Sequence, residues 1–382
     1  MKPPCLNHAQ IPFDALLLMN SSNRPPALDQ PDLVMSDLGE KQFVQELLQK
    51  LDPDSRLVDG FGHDASILDI GLGDMNIAFK IDRASTPVTV SRGWSDKKAW
   101  GRLAVTANCS DLLASGAHPL AFMVCVCVPA SWKVQDTEDV VFGCKEECEK
   151  NNVVFAGGDT KESAVPQVIG SAIGLSPKKS SVRRDTAKPG QHLVISGYAG
   201  GFMGAFLQLS RNGLVSPDLR QQWVHYLSHP VCNWREALFI NSNRLASAAM
   251  DTSDGIYDAL KSLTRGEIGI SLNMTKVRFH PFARQCSQQL GIPLYNLMFG
   301  GADWNIVYAI DDEHYRLIQE ANLLDIDLFK IGEFVAQPGI YAHDERDTYS
   351  VEGPINEQFR SRIEDMDSFM DSIITRQFFQ PI

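Results

Sequence analysis

Apolar and polar positions along this chain follow two periods, one helical and one of strict alternation, and the switch between them sets out the elements. Residues 1 to about 35 carry neither period and are rich in proline and polar residues, with Pro3-Pro4 and Pro25-Pro26, so they read as an N-terminal extension. From Ser36 or Asp37 a helix is expected, with Phe43, Leu47 and Leu48 on one side and Glu40 in the first turn, where the helix dipole favours an acid. Strands are expected over 65–70 and 76–81, then a long helix over 97–115, a strand over 121–128 and a helix over 137–151. A short strand over 153–156 and another over 168–175 follow.

Lys188-Pro189-Gly190 marks a turn, and the apolar run His192 to Ser196 opens a second series. Helices are expected near 199–212, 234–249 and 254–265, and strands near 267–273, 304–310 and 328–334. Strands and helices mix without an unbroken βαβ series, which makes the fold class α+β with two domains. The boundary falls between 176 and 190. The expected parts are an extension (1–35), an N-terminal domain (36–180), a C-terminal α/β domain (181–345) and a tail (346–382).

Composition narrows the function. A formal net charge of −12 disfavours nucleic acid as a partner, because Lys178-Lys179 and Arg183-Arg184 are short pairs and not a basic stripe. An acidic enzyme still binds nucleotides when divalent cations sit between its carboxylates and the phosphates. The eight cysteines, Cys5, Cys109, Cys125, Cys127, Cys144, Cys148, Cys232 and Cys286, show no zinc-competent pairing of pairs and read as free thiols. Cys125 and Cys127 are expected on one face of a buried strand. No signal-peptide pattern and no apolar run of membrane-spanning length is present, so no membrane role and a cytoplasmic location are expected.

Candidate chemistry rests on aspartates. Gly157-Gly158-Asp159-Thr160 follows an apolar run, an arrangement that suits either an ordinary turn or backbone amides approaching an anion beside a cation-holding carboxylate. Asp64 follows Gly62-His63, and Asp82 ends a strand. Asp111 lies on the surface shared by Leu103, Ala104, Ala107 and Ala114, where a carboxylate is costly to bury unless paired. Asp251-Thr252-Ser253-Asp254-Gly255 offers carboxylates and hydroxyls together, as a helix cap also does. No Gly-x4-Gly-Lys-Ser/Thr phosphate loop occurs.

Taken in order, these motifs resemble the superfamily of aminoimidazole-ribonucleotide synthetase, selenophosphate synthetase, a hydrogenase maturation protein and thiamine-monophosphate kinase, most of all the last. Gly39-Glu40, Gly62-His63-Asp64-Ala65, Ala104 to Asp111 with Ser115 to Pro119, and Gly157 to Thr160 fall in the family's order. So do Arg183-Arg184, Asp251 to Gly255, Gly300-Gly301-Ala302-Asp303 and Ile331-Gly332-Glu333. The resemblance implies an N-terminal domain that closes a β-barrel across a homodimer, a C-terminal α/β domain, and ATP with Mg²⁺ as cofactors. It implies Asp64, Asp82, Asp111, Asp159 and Asp254 as metal-holding carboxylates, with Ser253 near them. Gly157, Gly158 and Thr160 would lie along the phosphates and Arg183 would neutralise the transferring group, so that Asp159, Asp254 and Arg183 carry catalysis.

The chain departs from the family at the acceptor side. Arg83 to Trp94 replaces the family's acceptor segment, His63 and Ala302 stand where carboxylates are usual, and Arg92, Trp94 and Asp303 are the candidates for substrate contact. The expected activity is phosphoryl transfer from ATP to a small-molecule acceptor. An orthodox thiamine-monophosphate kinase, a synthetase-type activation of a carbonyl oxygen and a weakened, non-catalytic homologue remain as alternatives.

Overall fold

The computed structural model describes residues 34–71, 73–178, 182–211, 215–321, 326–354 and 366–382. Cys5 and nearly all of the N-terminal extension lie outside them. The described residues fall into two compact units, the first holding residues 34–52 and the second the described residues from 53 onward. In the first, α1 (Met35–Leu38) and α2 (Glu40–Leu48) replace the single helix expected, because Gly39 takes a φ of 75° between them.

The second unit contains two sheets. Its first part runs β1 (Leu57–Val58), β2 (Ser66–Leu68), β3 (Met75–Ala84), α3 (Val88–Ser91), α4 (Lys98–Ala114), β4 (His118–Val128), α5 (Val134–Lys150), β5 (Val154–Glu162) and β6 (Gln167–Pro177). These strands order as β1-β2-β3-β6-β4-β5. β4 and β5 are parallel and α5 connects them, while β3 pairs antiparallel with β6 from Met75↔Pro177 to Ala84↔Val168. Among the described residues the sheet is open, with β1 and β5 at its edges, so this chain alone closes no barrel.

α4 covers one face of this sheet. Ala78, Val168 and Ala172 are buried with Ala104, Val105, Cys109 and Leu112 of the helix. α5 lies against α4 so closely that a Cβ on Gly101 would collide with the backbone of Val140, and one on Gly143 with that of Lys98. The other face is apolar, and among the described residues several of its side chains are exposed. Ile81, Ser171 and Met123 form one row across the strands, Phe79 and Ile173 the next, and all five are exposed.

The second part runs β7 (His192–Ser196), α6 (Gly201–Arg211), α7 (Pro217–Ser228), α8 (Trp234–Asn243), β8 (Ala246–Asp251), α9 (Ile256–Thr264) and β9 (Gly269–Asn273). It continues with α10 (Pro281–Leu290), β10 (Ile306–Ile310), α11 (Asp312–Glu320), β11 (Leu328–Val335), β12 (Gly339–His343), β13 (Thr348–Val351), α12 (Met366–Thr375) and β14 (Phe379–Pro381). The strands order as β14-β13-β12-β9-β11-β7-β10-β8. β7 and β10 are buried along their whole length, as unbroken apolar strands between two covered faces should be.

Two expected elements differ. The helix over 234–249 stops at Asn243 because Arg244 enters the left-handed region at φ 54°, and the remaining residues form β8. The strand expected to end at Ala156 continues to Glu162, so Gly157 to Thr160 lies inside β5 and is not a turn. Residues past 345 contribute β13 and β14 to one end of the second sheet.

Candidate active site

The two sheets meet at α4. This helix packs on β3 and β6 and also touches β8 and α8, and its last turns are buried throughout. A polar residue late in α4 therefore faces residues at the end of β8. Asp111 does so, and Ser110 beside it donates a 2.6 Å hydrogen bond to Asp251 Oδ2. Ser253 donates a second, 2.8 Å, to Asp251 Oδ1. Asp64 arrives from the loop before β2, after glycines 60 and 62 with φ of 74° and 92°.

Asp64, Asp111 and Asp251 are all buried, and one oxygen from each lies within 4.8 Å of the others. Two cationic side chains join them. Lys80, from the helix-facing side of β3, places Nζ 2.6 Å from Asp111 Oδ2, and Arg184 pairs with Asp64. Burial pushes the Asp111 carboxyl well up, reinforced by the charge of Asp251, and pushes Asp251 up to about 6, reinforced by Asp64. Burial alone would lower Lys80, but Asp111 outweighs it and raises the ammonium. The same contest raises Arg184, with Asp64 prevailing over desolvation. Carboxylates that raise one another in this way gain from any positive charge placed among them.

The donor set fits a hard divalent cation, because three carboxylates converge and every ligand atom on offer is oxygen. Arg184 adds a second sign of a ligand: its Nε is buried without an acceptor among the described residues, a donor that an anionic oxygen would satisfy.

The structure thus brings together Asp64 and Asp111 from the expected metal set, with Ser253 held at Asp251. It does not place the others in this cluster. Asp82 is exposed on β3, two residues beyond Lys80 on the same side of the strand. Asp159 is 60% exposed and pairs with Lys161 at 3.7 Å, and Asp254 is exposed. Thr160 donates its backbone N–H to Asp159. Gly158 permits the backbone of β5 to approach Val124 on β4, where no Cβ would fit, while Gly157, at φ 96°, faces open space. Arg183 makes ion pairs with Asp59 at 2.9 Å and Asp185 at 2.8 Å, and its neighbour Arg184 is the one that reaches the carboxylates. His63 Nε2 faces the Asp59 carbonyl at 3.3 Å.

On the acceptor side, Asp303 accepts N–H bonds from Gly200 at 2.5 Å and Phe202 at 2.8 Å, and so caps the start of α6. Arg92 and Trp94 border a cavity of about 640 Å³ with Ser210, Arg211, Asp367 and Asp371, and none of the three clustered aspartates lines it. Arg92 pairs there with Asp367 and Arg211 with Asp371, while Trp94 leans on Phe206 with Arg220 over its ring.

Sequence reasoning missed Lys80, Arg184 and Asp251 as site residues. For Asp251 a signal existed: it ends an apolar strand at the same motif as Asp254, and a strand end points more reliably into a site than an exposed cap.

The free thiols are as expected for Cys109, Cys125, Cys127, Cys144, Cys148, Cys232 and Cys286; the Cys125 and Cys127 sulfurs lie 3.6 Å apart on one side of β4. Among the described residues no helix is long and apolar enough to cross a membrane.

The family model for the AIR synthase related protein, N-terminal domain, matches residues 62–176. The thiamine-monophosphate kinase of Caulobacter vibrioides is 26% identical over 253 residues, which cover 63% of this chain and 69% of that one. Among solved structures, AaThiL complexed with AMPPCP and TMP superposes with a TM-score of 0.68 at 20% identity, covering 81% of this chain and 95% of its own. The HypE–HypF complex gives 0.60 at 19%, covering 82% and 99%. Residues 62–176 thus match the AIR synthase related N-terminal domain, the chain is similar in sequence to thiamine-monophosphate kinases over 63% of its length, and its two-sheet fold is shared with the AaThiL and HypE structures.

Proposed function

We propose that this chain is an ATP-dependent phosphotransferase that moves the γ-phosphoryl group to a small-molecule acceptor. The carrying observation is the buried convergence of Asp64, Asp111 and Asp251 with Arg184, whose Nε has no acceptor among the described residues. The AMPPCP in the AaThiL neighbour, a methylene analogue of ATP, supports the nucleotide, and the names of the relatives support the kinase chemistry.

The cluster around Asp64 and Asp251, with Asp111 beside them, would take up Mg²⁺, which when bound neutralises and orients phosphate oxygens. The chain's own groups do the remaining work. Arg184 donates toward anionic oxygen, Ser110 and Ser253 fix the Asp251 carboxylate by hydrogen bonds to both its oxygens, and the buried last turns of α4 carry Ser110 and Asp111. Asp159 and Asp254, exposed in the isolated chain, stay in the proposal as residues that meet the nucleotide from outside the cluster.

The acceptor is proposed to enter near Arg92 and Trp94. Their cavity presents paired arginines and aspartates, which suits a molecule with both an anionic and a cationic group. The test is ADP release and product formation with thiamine monophosphate and with other small phosphorylated or zwitterionic acceptors. Acceptor-dependent ADP release supports phosphotransfer. ATP turnover that no acceptor stimulates, with release of inorganic phosphate only, rejects it. Efficient formation of thiamine diphosphate would identify the orthodox kinase.

A further inference from the structure

Lys80, with the exposed Asp82 beyond it on the same face, is a largely covered charged side chain on a strand face whose preceding positions are made for packing. On β3 the helix-facing positions before it are Asn76 and Ala78, both buried, and Lys80 follows with its stem covered and its ammonium 2.6 Å from Asp111. Each member of the carboxylate cluster has a different companion. Asp64 has Arg184, Asp251 has the hydroxyls of Ser110 and Ser253, and Asp111 has Lys80.

An ammonium at that distance occupies one of the two Asp111 oxygens and already supplies positive charge to that carboxylate. Lysine is a compact point charge with three donors, which lets it stand at a cation position as a fixed, singly charged substitute. We infer that Lys80 is a resident cation of this site: it holds the Asp111 position against a divalent ion, so the chain takes fewer metal ions with its nucleotide and leaves Asp64 and Asp251 to carry the one nearest phosphate. This rests on the ATP-site reading above and extends it to metal stoichiometry. Lys80 is a positioning residue here, acting on the nucleotide through Asp111.

The probe is Mn²⁺, counted by electron paramagnetic resonance at fixed AMPPCP, in the wild-type chain and in Lys80→Met, Lys80→Gln and Lys80→Arg. Lys80→Met and Lys80→Gln should bind an additional Mn²⁺ per chain, or the existing one about tenfold more tightly, a change of about 1.4 kcal/mol. Lys80→Arg keeps the charge and should match the wild type. A lysine that merely ties β3 to α4 would lower thermal stability in these variants without changing the Mn²⁺ count. Gln retains a hydrogen bond to Asp111, which covers the case in which Met prevents folding. Wild-type binding with the same count and affinity in the folded uncharged variants overturns this inference alone, whereas no Mn²⁺ or AMPPCP binding in any of the proteins overturns the ATP-site reading and the inference with it.

Discussion

At the scale of single residues, the polar groups in this chain work because each is buried against a specific partner. Asp303 shows this outside the carboxylate cluster. Burial pushes its carboxyl up to about 7, against the opposing pull of the N–H groups of Phe202, Gly200 and Gly201. Its folded pKa lies above the unfolded value of about 3.9, so between about pH 4 and pH 7 the folded chain binds more protons than the unfolded one. The contribution of Asp303 to stability is therefore complete below that window and is lost as pH rises through it, at up to roughly 1.4 kcal/mol per pH unit. Denaturant midpoints of wild type and Asp303→Asn between pH 4.5 and 7.5 measure it. The variant should lack this part of the slope, and identical slopes would remove Asp303 as its source.

At the scale of elements, the site depends on how closely α4 is gripped between α5, the first sheet and β8. Gly101 and Gly143 allow two helix backbones to touch where any Cβ collides with a carbonyl. Gly143→Ala should therefore destabilise the chain by about 1–3 kcal/mol, with a matching fall in the urea midpoint, because neither backbone can yield without moving the other. An unchanged midpoint would show that the crossing has slack. The long elements were legible in the sequence: α4, α5, β4, β7 and β10 combine strong periodicity or unbroken apolar runs with adequate length. Asp64 and Asp111 were legible because glycine context and an apolar stripe make a carboxylate conspicuous. Lys80 was not, since a lysine in a strand reads as a solvated side chain until the helix covering that strand is known. Arg184 was not separable from Arg183, because Arg183 makes an isolated bridge to Ala248 and Arg184 opens the turn after it, and only the fold says which reaches inward. Helix α7 was passed over despite Ser216 as its cap and Pro217 in its first turn, a start signal that its mixed interior obscured.

At the scale of the whole molecule, the exposed apolar face of the first sheet calls for a cover. Phe79, Ile81, Met123 and Ile173 form contiguous apolar rows on the side away from α4, an arrangement suited to a second copy of the same chain. Light scattering at micromolar concentration should report a homodimer, and Met123→Glu should shift it toward monomer, whereas a monomeric wild type of 42.3 kDa would contradict the proposed assembly. Nucleotide is proposed to meet this chain through cations gathered by the Asp64, Asp111 and Asp251 cluster. Calorimetric titration of AMPPCP in Mg²⁺ and in EDTA, for wild type and for Asp251→Asn, measures it most directly. AMPPCP should bind the wild type in Mg²⁺, at least about tenfold more weakly in EDTA, and with a comparable loss in folded Asp251→Asn even with Mg²⁺ present. Equal affinity across all four titrations would contradict it.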